Sequence, residues 1–124
     1  MRKLPDSELN CMLVIWKENR AMTRSEIQDK LENGASLSAT ALLSFLSRLE
    51  EKGFLSVQKI KKLNYYEALI SEYEYKKHDS KNILSKMYNN SIKNFMTALY
   101  DGERLEDNDI EELREFINQK ANEQ

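Results

Sequence analysis

The 124-residue chain contains little glycine, proline or cysteine. Three glycines and one proline leave few breaks, which favours long helices over a strand-rich fold. The single cysteine, Cys11, excludes an internal disulfide and a metal site with several cysteine ligands. Its neighbours Met12 and Leu13 predict that it packs in or near the core. No apolar run reaches the ~20 residues that span a bilayer, and residues 1–5 lead into charged residues instead of an apolar signal core. We therefore expect a cytoplasmic protein without membrane insertion.

Residue patterns that support catalysis are also missing. The only histidine, His78, lies among charged neighbours and is interpreted as a solvated helical residue. The sequence has no G-x-S-x-G motif, no phosphate-binding loop and no pair of metal ligands at helical spacing. These absences predict that the protein is not an enzyme and that it uses neither a cofactor nor a metal.

Charge is distributed unevenly along the chain, whose net charge is −2. Residues 1–70 hold 11 lysines and arginines against 9 aspartates and glutamates, whereas residues 71–124 hold 8 against 12. A slightly basic first half joined to an acidic second half is compatible with a DNA-facing part and a part with another role.

The first helical pattern runs from Leu9 to Trp16, where apolar residues recur at i, i+3, i+4 and i+7. Asp6 is a candidate N-cap for this helix, and Pro5 in the first turn is the alternative. Residues 17–20 are polar and are interpreted as a short connection.

A second, shorter helix is predicted to begin with a capping box, Thr23-Arg24-Ser25-Glu26. Met22 and Ile27 stand at the two positions of a hydrophobic staple around this box. Asn33-Gly34 is predicted to end the helix in a left-handed conformation.

The third helical pattern completes a helix-turn-helix, whose second helix can enter a major groove of DNA. Ser36 or Ser38 is its candidate cap, and Gly53 is its predicted end. The inner stripe consists of Leu42, Phe45 or Leu46, and Leu49. The predicted DNA contacts on the outward side are Ser38, Thr40, Ala41, Ser44, Ser47 and Arg48. Because Arg48 lies in the second half of the helix, a phosphate or an internal carboxylate is as good a partner for it as a base.

Residues 54–69 change to a strand-like alternation, with Leu55 and Val57 separated by polar residues and an aromatic second run. Lys59-Ile60-Lys61-Lys62 lies between the two runs. This predicts a β-hairpin wing whose lysines, Lys59, Lys61 and Lys62, contact DNA phosphates. The turn lacks glycine, so the sequence leaves its type open.

Residues 71–124 are predicted to be helical and to join two copies of the chain. One long helix carries a stripe that is broken at Asp101-Gly102, and Asn108 with Glu111 offers a second capping box for a final amphipathic helix. Since neither helix has an evident place against the N-terminal core, we expect both stripes to be buried in a homodimer. The predicted dimerisation residues are Leu84, Tyr88, Ile92, Phe95, Leu99, Ile110, Leu113 and Ile117.

The predicted fold class is therefore mainly α with a small β-hairpin wing. An N-terminal winged helix-turn-helix domain is expected over residues 1–70 and a C-terminal helical dimerisation domain over residues 71–124.

Two stretches carry a family pattern: Glu8-Leu9-x-x-Met12-x-Val14-Ile15-Trp16-Lys17, and the segment from Ser38 that ends in Leu46-Ser47-Arg48-Leu49-Glu50-Glu51-Lys52-Gly53. Tyr66 and Tyr88-Asn89 also fit. On these residues the chain resembles the penicillinase-repressor family of winged-helix repressors, in order and spacing over nearly its whole length. The resemblance implies a dimer that binds an inverted-repeat operator and represses β-lactamase or other resistance or cell-envelope genes. It also implies derepression when a membrane β-lactam sensor triggers proteolysis within the dimerisation helices.

The chain departs from the family pattern at several positions. Its tail lacks the cysteine cluster of the copper-responsive branch, so copper or zinc sensing is not expected. The Lys-Thr of family recognition helices is Thr40-Ala41 here, and the Gly-Arg of the wing is Lys61-Lys62. The bond cleaved in some members aligns near Ala98-Leu99, whereas Asn94-Phe95 lies one turn earlier, so both remain candidate cleavage sites.

An alternative function is a winged-helix module that binds another protein instead of DNA. The net negative charge and the few base-reading side chains on the third helix motivate it. DNA affinity at modest salt discriminates between the two functions.

Overall fold

A computed structural model describes residues 1–124 as six α-helices and one three-stranded antiparallel sheet. This confirms the predicted class, mainly α with a small hairpin wing. No helix has both the length and the apolar character needed to cross a membrane. The elements in chain order are α1 (Asp6–Glu18), β1 (Met22–Thr23), α2 (Arg24–Lys30), α3 (Ala39–Glu51), β2 (Leu55–Ile60), β3 (Leu63–Ala68), α4 (Glu72–Tyr88), α5 (Ile92–Leu99) and α6 (Asp107–Asn122).

Most helix termini of the first half form where the local sequence predicts them. Pro5, not Asp6, is the N-cap of α1, and Asp6 is the first helical residue. The capping box of α2 is complete, because the Thr23 and Glu26 side chains each accept from the other residue's backbone amide. The Ser38 hydroxyl caps α3, and Gly53 follows that helix with a φ of +82°.

The predicted left-handed stop at Asn33-Gly34 is wrong. Helix α2 ends at Lys30, and Gly34 begins a single 3-10 turn, Gly34–Ser36, without a positive φ. Glycine is needed here for space, because a Cβ at residue 34 would lie 1.9 Å from the Gln28 carbonyl oxygen. A packing requirement, and not a turn conformation, therefore explains this glycine.

The sheet has the strand order β1-β3-β2, and β1 was not predicted as a strand. Met22 and Thr23 pair with Tyr66 and Tyr65, so the segment that leads into α2 also widens the wing. Strands β2 and β3 pair from Leu55 with Ala68 to the end of the hairpin.

The hydrophobic core of the first half lies between α1, α2, α3 and the sheet. Leu46 is fully buried and Phe45 only partly, which settles the inner stripe of α3. Cys11 is buried as predicted. Burial, followed by the nearby charge of Glu8, raises the pKa of the Cys11 thiol to about 12, so this cysteine is an unreactive packing residue.

Tyr75 joins the start of α4 to this core. Its ring packs against Trp16 and Phe54, each with a centroid separation of 5.7 Å, and its hydroxyl accepts a hydrogen bond from the Leu4 amide at 2.8 Å. The Trp16 indole in turn donates to the Ile70 carbonyl at 2.8 Å. The structure has two compact units, residues 1–80 and residues 81–124.

The predicted single long helix of the second half is two helices. Asn89 and Asn90 both adopt left-handed conformations, with φ of 49° and 61°, and Ser91 then caps α5 by accepting from the Asn94 amide. Asparagine tolerates this conformation better than most residues, so the chain can break here although the apolar spacing of the sequence continues.

Helix α6 forms where its apolar stripe predicts it, after a break at Gly102, which has a φ of +73°. Its predicted capping box is wrong, because Glu106 is the N-cap and the Asn108 side chain donates through Nδ2 to the Glu112 carboxylate instead. No residue of α5 or α6 is buried in the single chain.

Candidate nucleic-acid interface

The N-terminal end of α3 is held in place by Gln28. Its Nε2 group donates to the carbonyl oxygens of Gly34 at 2.9 Å and Leu37 at 2.7 Å, while its Oε1 atom accepts from Arg24. These bonds fix the connection between the two helices of the helix-turn-helix. Sequence reasoning missed Gln28, because the two carbonyl groups to which it donates, those of Gly34 and Leu37, lie outside α2.

The C-terminal end of α3 is held by an ion pair whose carboxylate is buried. Lys52, the C-cap of α3, donates to Glu8 in the first turn of α1. The Glu8 side chain is 3% exposed and that of Lys52 17%. Both residues belong to the family pattern in the sequence, but their contact across 44 positions was not predicted. Gln28 and Lys52 therefore fix α3 at its two ends.

The outward side of α3 presents the predicted DNA-contacting residues with different exposure. Those that are exposed are Ser38, Thr40, Ser47 and Arg48, whereas Ala41 and Ser44 are half-buried. The Ser38 hydroxyl accepts from the Ala41 amide at 3.0 Å. Arg48 forms no ion pair within the chain, so the internal carboxylate that was its alternative partner is not observed.

The wing ends in a two-residue turn formed by Lys61 and Lys62. Both have positive φ, 49° and 71°, as a type I′ turn requires, although asparagine and glycine are the usual residues there. Lys59, Lys61 and Lys62 are all exposed, and none forms an ion pair. Three cations without an ion-pair partner, two in the turn and one in the adjacent strand β2, favour binding to a polyanion.

A groove of about 240 Å³ lies between the start of α2, the outward side of α3 and strand β3. We call it the wing groove, and its lining consists of Thr23, Arg24, Ser25, Leu43, Lys62, Leu63, Asn64 and Tyr66. The lining contains two cationic side chains and no carboxylate. Arg24 and Leu43 were not predicted as interface residues.

The predicted dimerisation residues form exposed or partly exposed apolar surface in the second unit. Ile92 is 68% exposed and Ile117 61%. Phe95 packs edge-to-face on Tyr88, with the two ring centroids 5.3 Å apart. These two aromatic residues are therefore part of the internal packing of the unit. The others of the predicted set are half-buried or exposed: Leu84, Leu99, Ile110 and Leu113. No group of three or more histidine, cysteine or acidic side chains is arranged to hold a metal ion.

The family model for the penicillinase repressor matches residues 4–119. The chain belongs to the penicillinase-repressor family. This confirms the resemblance seen in the sequence.

Two relatives match this repressor over almost its whole length. It is similar to the methicillin resistance regulatory protein MecI of Staphylococcus aureus, with 27% identity over 118 residues, 95% of each chain. It is also similar to the penicillinase repressor of Bacillus licheniformis, with 28% identity over 125 residues, 98% of this chain and 97% of the relative. One relative is named as a regulatory protein and the other as a repressor.

The winged-helix fold is confirmed by a likeness to a solved structure. The solution structure of the DNA-binding domain of the repressor BlaI matches 60% of this chain and 94% of its own, with 31% identity and a TM-score of 0.51.

Proposed function

We propose that the chain is a cytoplasmic, dimeric transcriptional repressor that binds an inverted-repeat operator through α3 and the wing. The observation that carries the proposal is the wing tip, where Lys61 and Lys62 form the turn itself and their charges are not neutralised. Lysines that contact phosphates release condensed counterions and so supply affinity for duplex DNA. Arg48, exposed and without a carboxylate partner, adds a further cation on α3.

The C-terminal helices support the dimeric part of the proposal. Ile92, Leu99 and Ile117 are each more than half exposed in the single chain, and apolar surface of this kind is commonly covered by a second copy. Two linked winged helices then engage two half-sites, and the effective concentration of the second site raises the overall affinity.

The names of the relatives support a proposal for the regulated genes. Because one of them regulates methicillin resistance and the other represses penicillinase, we infer an operon for a β-lactamase or another resistance or cell-envelope function. Loss of dimerisation then relieves repression, and a membrane β-lactam sensor with its protease pathway is the proposed trigger. The Asn94-Phe95 and Ala98-Leu99 bonds both lie in α5, where Asn94, Ala98 and Leu99 are exposed.

The experiment that tests the role of the wing replaces Lys59, Lys61 and Lys62 with alanine and measures DNA affinity across salt concentrations. The slope of log affinity against log salt is expected to become shallower by about 0.9 for each phosphate that the wing no longer neutralises. The matched control replaces three exposed lysines of α4, Lys77, Lys81 and Lys86, with alanine and is expected to keep the slope. Equal slopes for both variants would contradict the proposed role of the wing. A stoichiometric protein partner without DNA binding would favour the interaction module instead.

A further inference from the structure

We propose that Leu43 is a specificity-determining residue that contacts the methyl group of a thymine in the major groove. The inference rests on the proposed DNA-binding function and deepens it. Leu43 stands three residues after Thr40 and four before Ser47, so it shares their side of α3. It is 44% exposed, whereas the adjacent Leu42 is fully buried. An apolar side chain on this side of the helix is not needed for the core.

The surroundings of Leu43 indicate a nucleic acid as the occupant of the wing groove. Leu43 and Leu63 line the groove together with Arg24 and Lys62, and no acidic residue takes part in the lining. This combination complements duplex DNA. The cationic side chains match the phosphates, and the apolar side chains match the thymine methyl group in the major groove. Lys59 and Lys61, which are exposed beside this groove lining in the sequence, extend the same positive character.

The chemistry of the major groove selects thymine among the four bases. Thymine is the base that presents a methyl group there, while the other edges present donors and acceptors. The first two turns of α3 contain no arginine, asparagine or glutamine that could pair with such an edge in a bidentate manner. Leu43 contributes to DNA affinity only when it covers an apolar group. Burial of one thymine methyl group against it corresponds to about a fourfold gain in affinity.

The test uses a duplex that the wild-type protein selects from a random pool, with each thymine replaced by uracil in turn. This change removes the methyl group and leaves the base pairing intact. We expect binding of the wild-type protein to weaken about fourfold at one or more positions in each half-site, and Leu43→Ala to bind thymine and uracil duplexes equally there. Leu43→Met, which remains apolar, is expected to retain sensitivity to uracil.

The matched control is Leu13→Ala, since Leu13 is a leucine of α1 with 40% exposure that lies outside the wing groove. It is expected to keep the wild-type response to uracil. Circular dichroism and sedimentation verify that each variant is folded and keeps its oligomeric state.

Different outcomes separate this inference from the proposed function. Sequence-selective binding by the wild-type protein that ignores uracil at every position would overturn the role of Leu43 and leave the repressor function standing. Uracil sensitivity that survives in Leu43→Ala would also overturn it and would assign the methyl contact to another residue, such as Ala41. A change of Leu43 that alters only the oligomeric state would place this residue in a contact between copies of the chain. No binding to any duplex would overturn both proposals.

Discussion

Glu8 and Lys52 form an ion pair that joins a buried carboxylate in the first turn of α1 to the C-cap residue of α3. The two residues are 44 positions apart, and Glu8 is the one charged residue among the buried side chains. A buried carboxylate is tolerated only when a partner compensates its charge. The pair therefore fixes the C-terminal end of α3 relative to α1. We expect substitution of either residue alone to lower the free energy of unfolding.

Lys52→Met is expected to lower the free energy of unfolding by about 3 kcal/mol, because it leaves the Glu8 carboxylate buried without a partner. The double variant Glu8→Met with Lys52→Met is expected to recover most of this loss, since no buried charge remains. Urea denaturation at neutral pH measures both effects. The control is Lys120→Met, which breaks an exposed pair with Glu123 and is expected to cost less than about 1 kcal/mol. A cost for Lys52→Met no larger than the control would contradict the structural role of the pair.

Gly34→Ala is expected to destabilise the winged helix by roughly 3 kcal/mol, the upper range for overpacking. The added Cβ would lie 1.9 Å from the Gln28 carbonyl oxygen, a backbone atom that moves only if α2 shifts. Gly102→Ala is the matched control, because Gly102 has a positive φ but no atom within 4 Å of the added Cβ, and its cost is expected near 1 kcal/mol. Thermal denaturation of the two variants compares them. Similar costs would mean that space at residue 34 is not limiting.

The two lysines of the wing turn allow charge and turn geometry to be separated. Asn-Gly is the preferred type I′ pair, so Lys61→Asn with Lys62→Gly is expected to raise the free energy of unfolding by about 0.5–1 kcal/mol. Lys61→Ala with Lys62→Ala removes the same charges but keeps a Cβ at both positive-φ positions. We expect the salt dependence of DNA binding to become shallower by the same amount in both variants. Only Lys61→Asn with Lys62→Gly is expected to have a higher free energy of unfolding than the wild-type protein. Different salt slopes would show that turn geometry, and not charge, governs binding.

Ile92→Asp with Ile117→Asp is expected to convert the protein from a dimer to a monomer in sedimentation equilibrium. Both side chains are largely exposed in the single chain, so the change does not disturb its own packing, unlike a change at Phe95, which contacts Tyr88. Operator affinity is expected to fall about a hundredfold or more, because a monomer has no avidity from two half-sites. The control is Leu69→Asp, because Leu69 is an exposed leucine of the first unit. This variant is expected to keep the wild-type oligomeric state. A variant that remains dimeric would show that the stripe is not the interface.

The parts of the fold that depend on neighbouring residues could be predicted from the sequence, and those that depend on distant contacts could not. The capping box at Thr23 and the helix end at Gly53 are local signals and were found where the sequence places them. Gly34 was misinterpreted because a required close approach to Gln28 has the same sequence signal as a left-handed turn.

Other differences arise where a local pattern continues across a structural break. The apolar spacing around Tyr88 runs through Asn89 and Asn90, whose left-handed conformations separate α4 from α5. At the candidate interface, the polar residues and the wing lysines were predicted from their types. Leu43 was not, because an apolar residue on a helix is by default assigned to the core.

The most direct test of the central claim is a fluorescence-anisotropy titration of the purified protein onto the DNA upstream of its own gene, beside a scrambled duplex, at several salt concentrations. We expect tight binding that prefers the upstream DNA and weakens steeply with salt, as phosphate contacts by the wing and α3 require. Absence of binding to either duplex at modest salt would contradict the claim that this winged helix is a DNA-binding repressor.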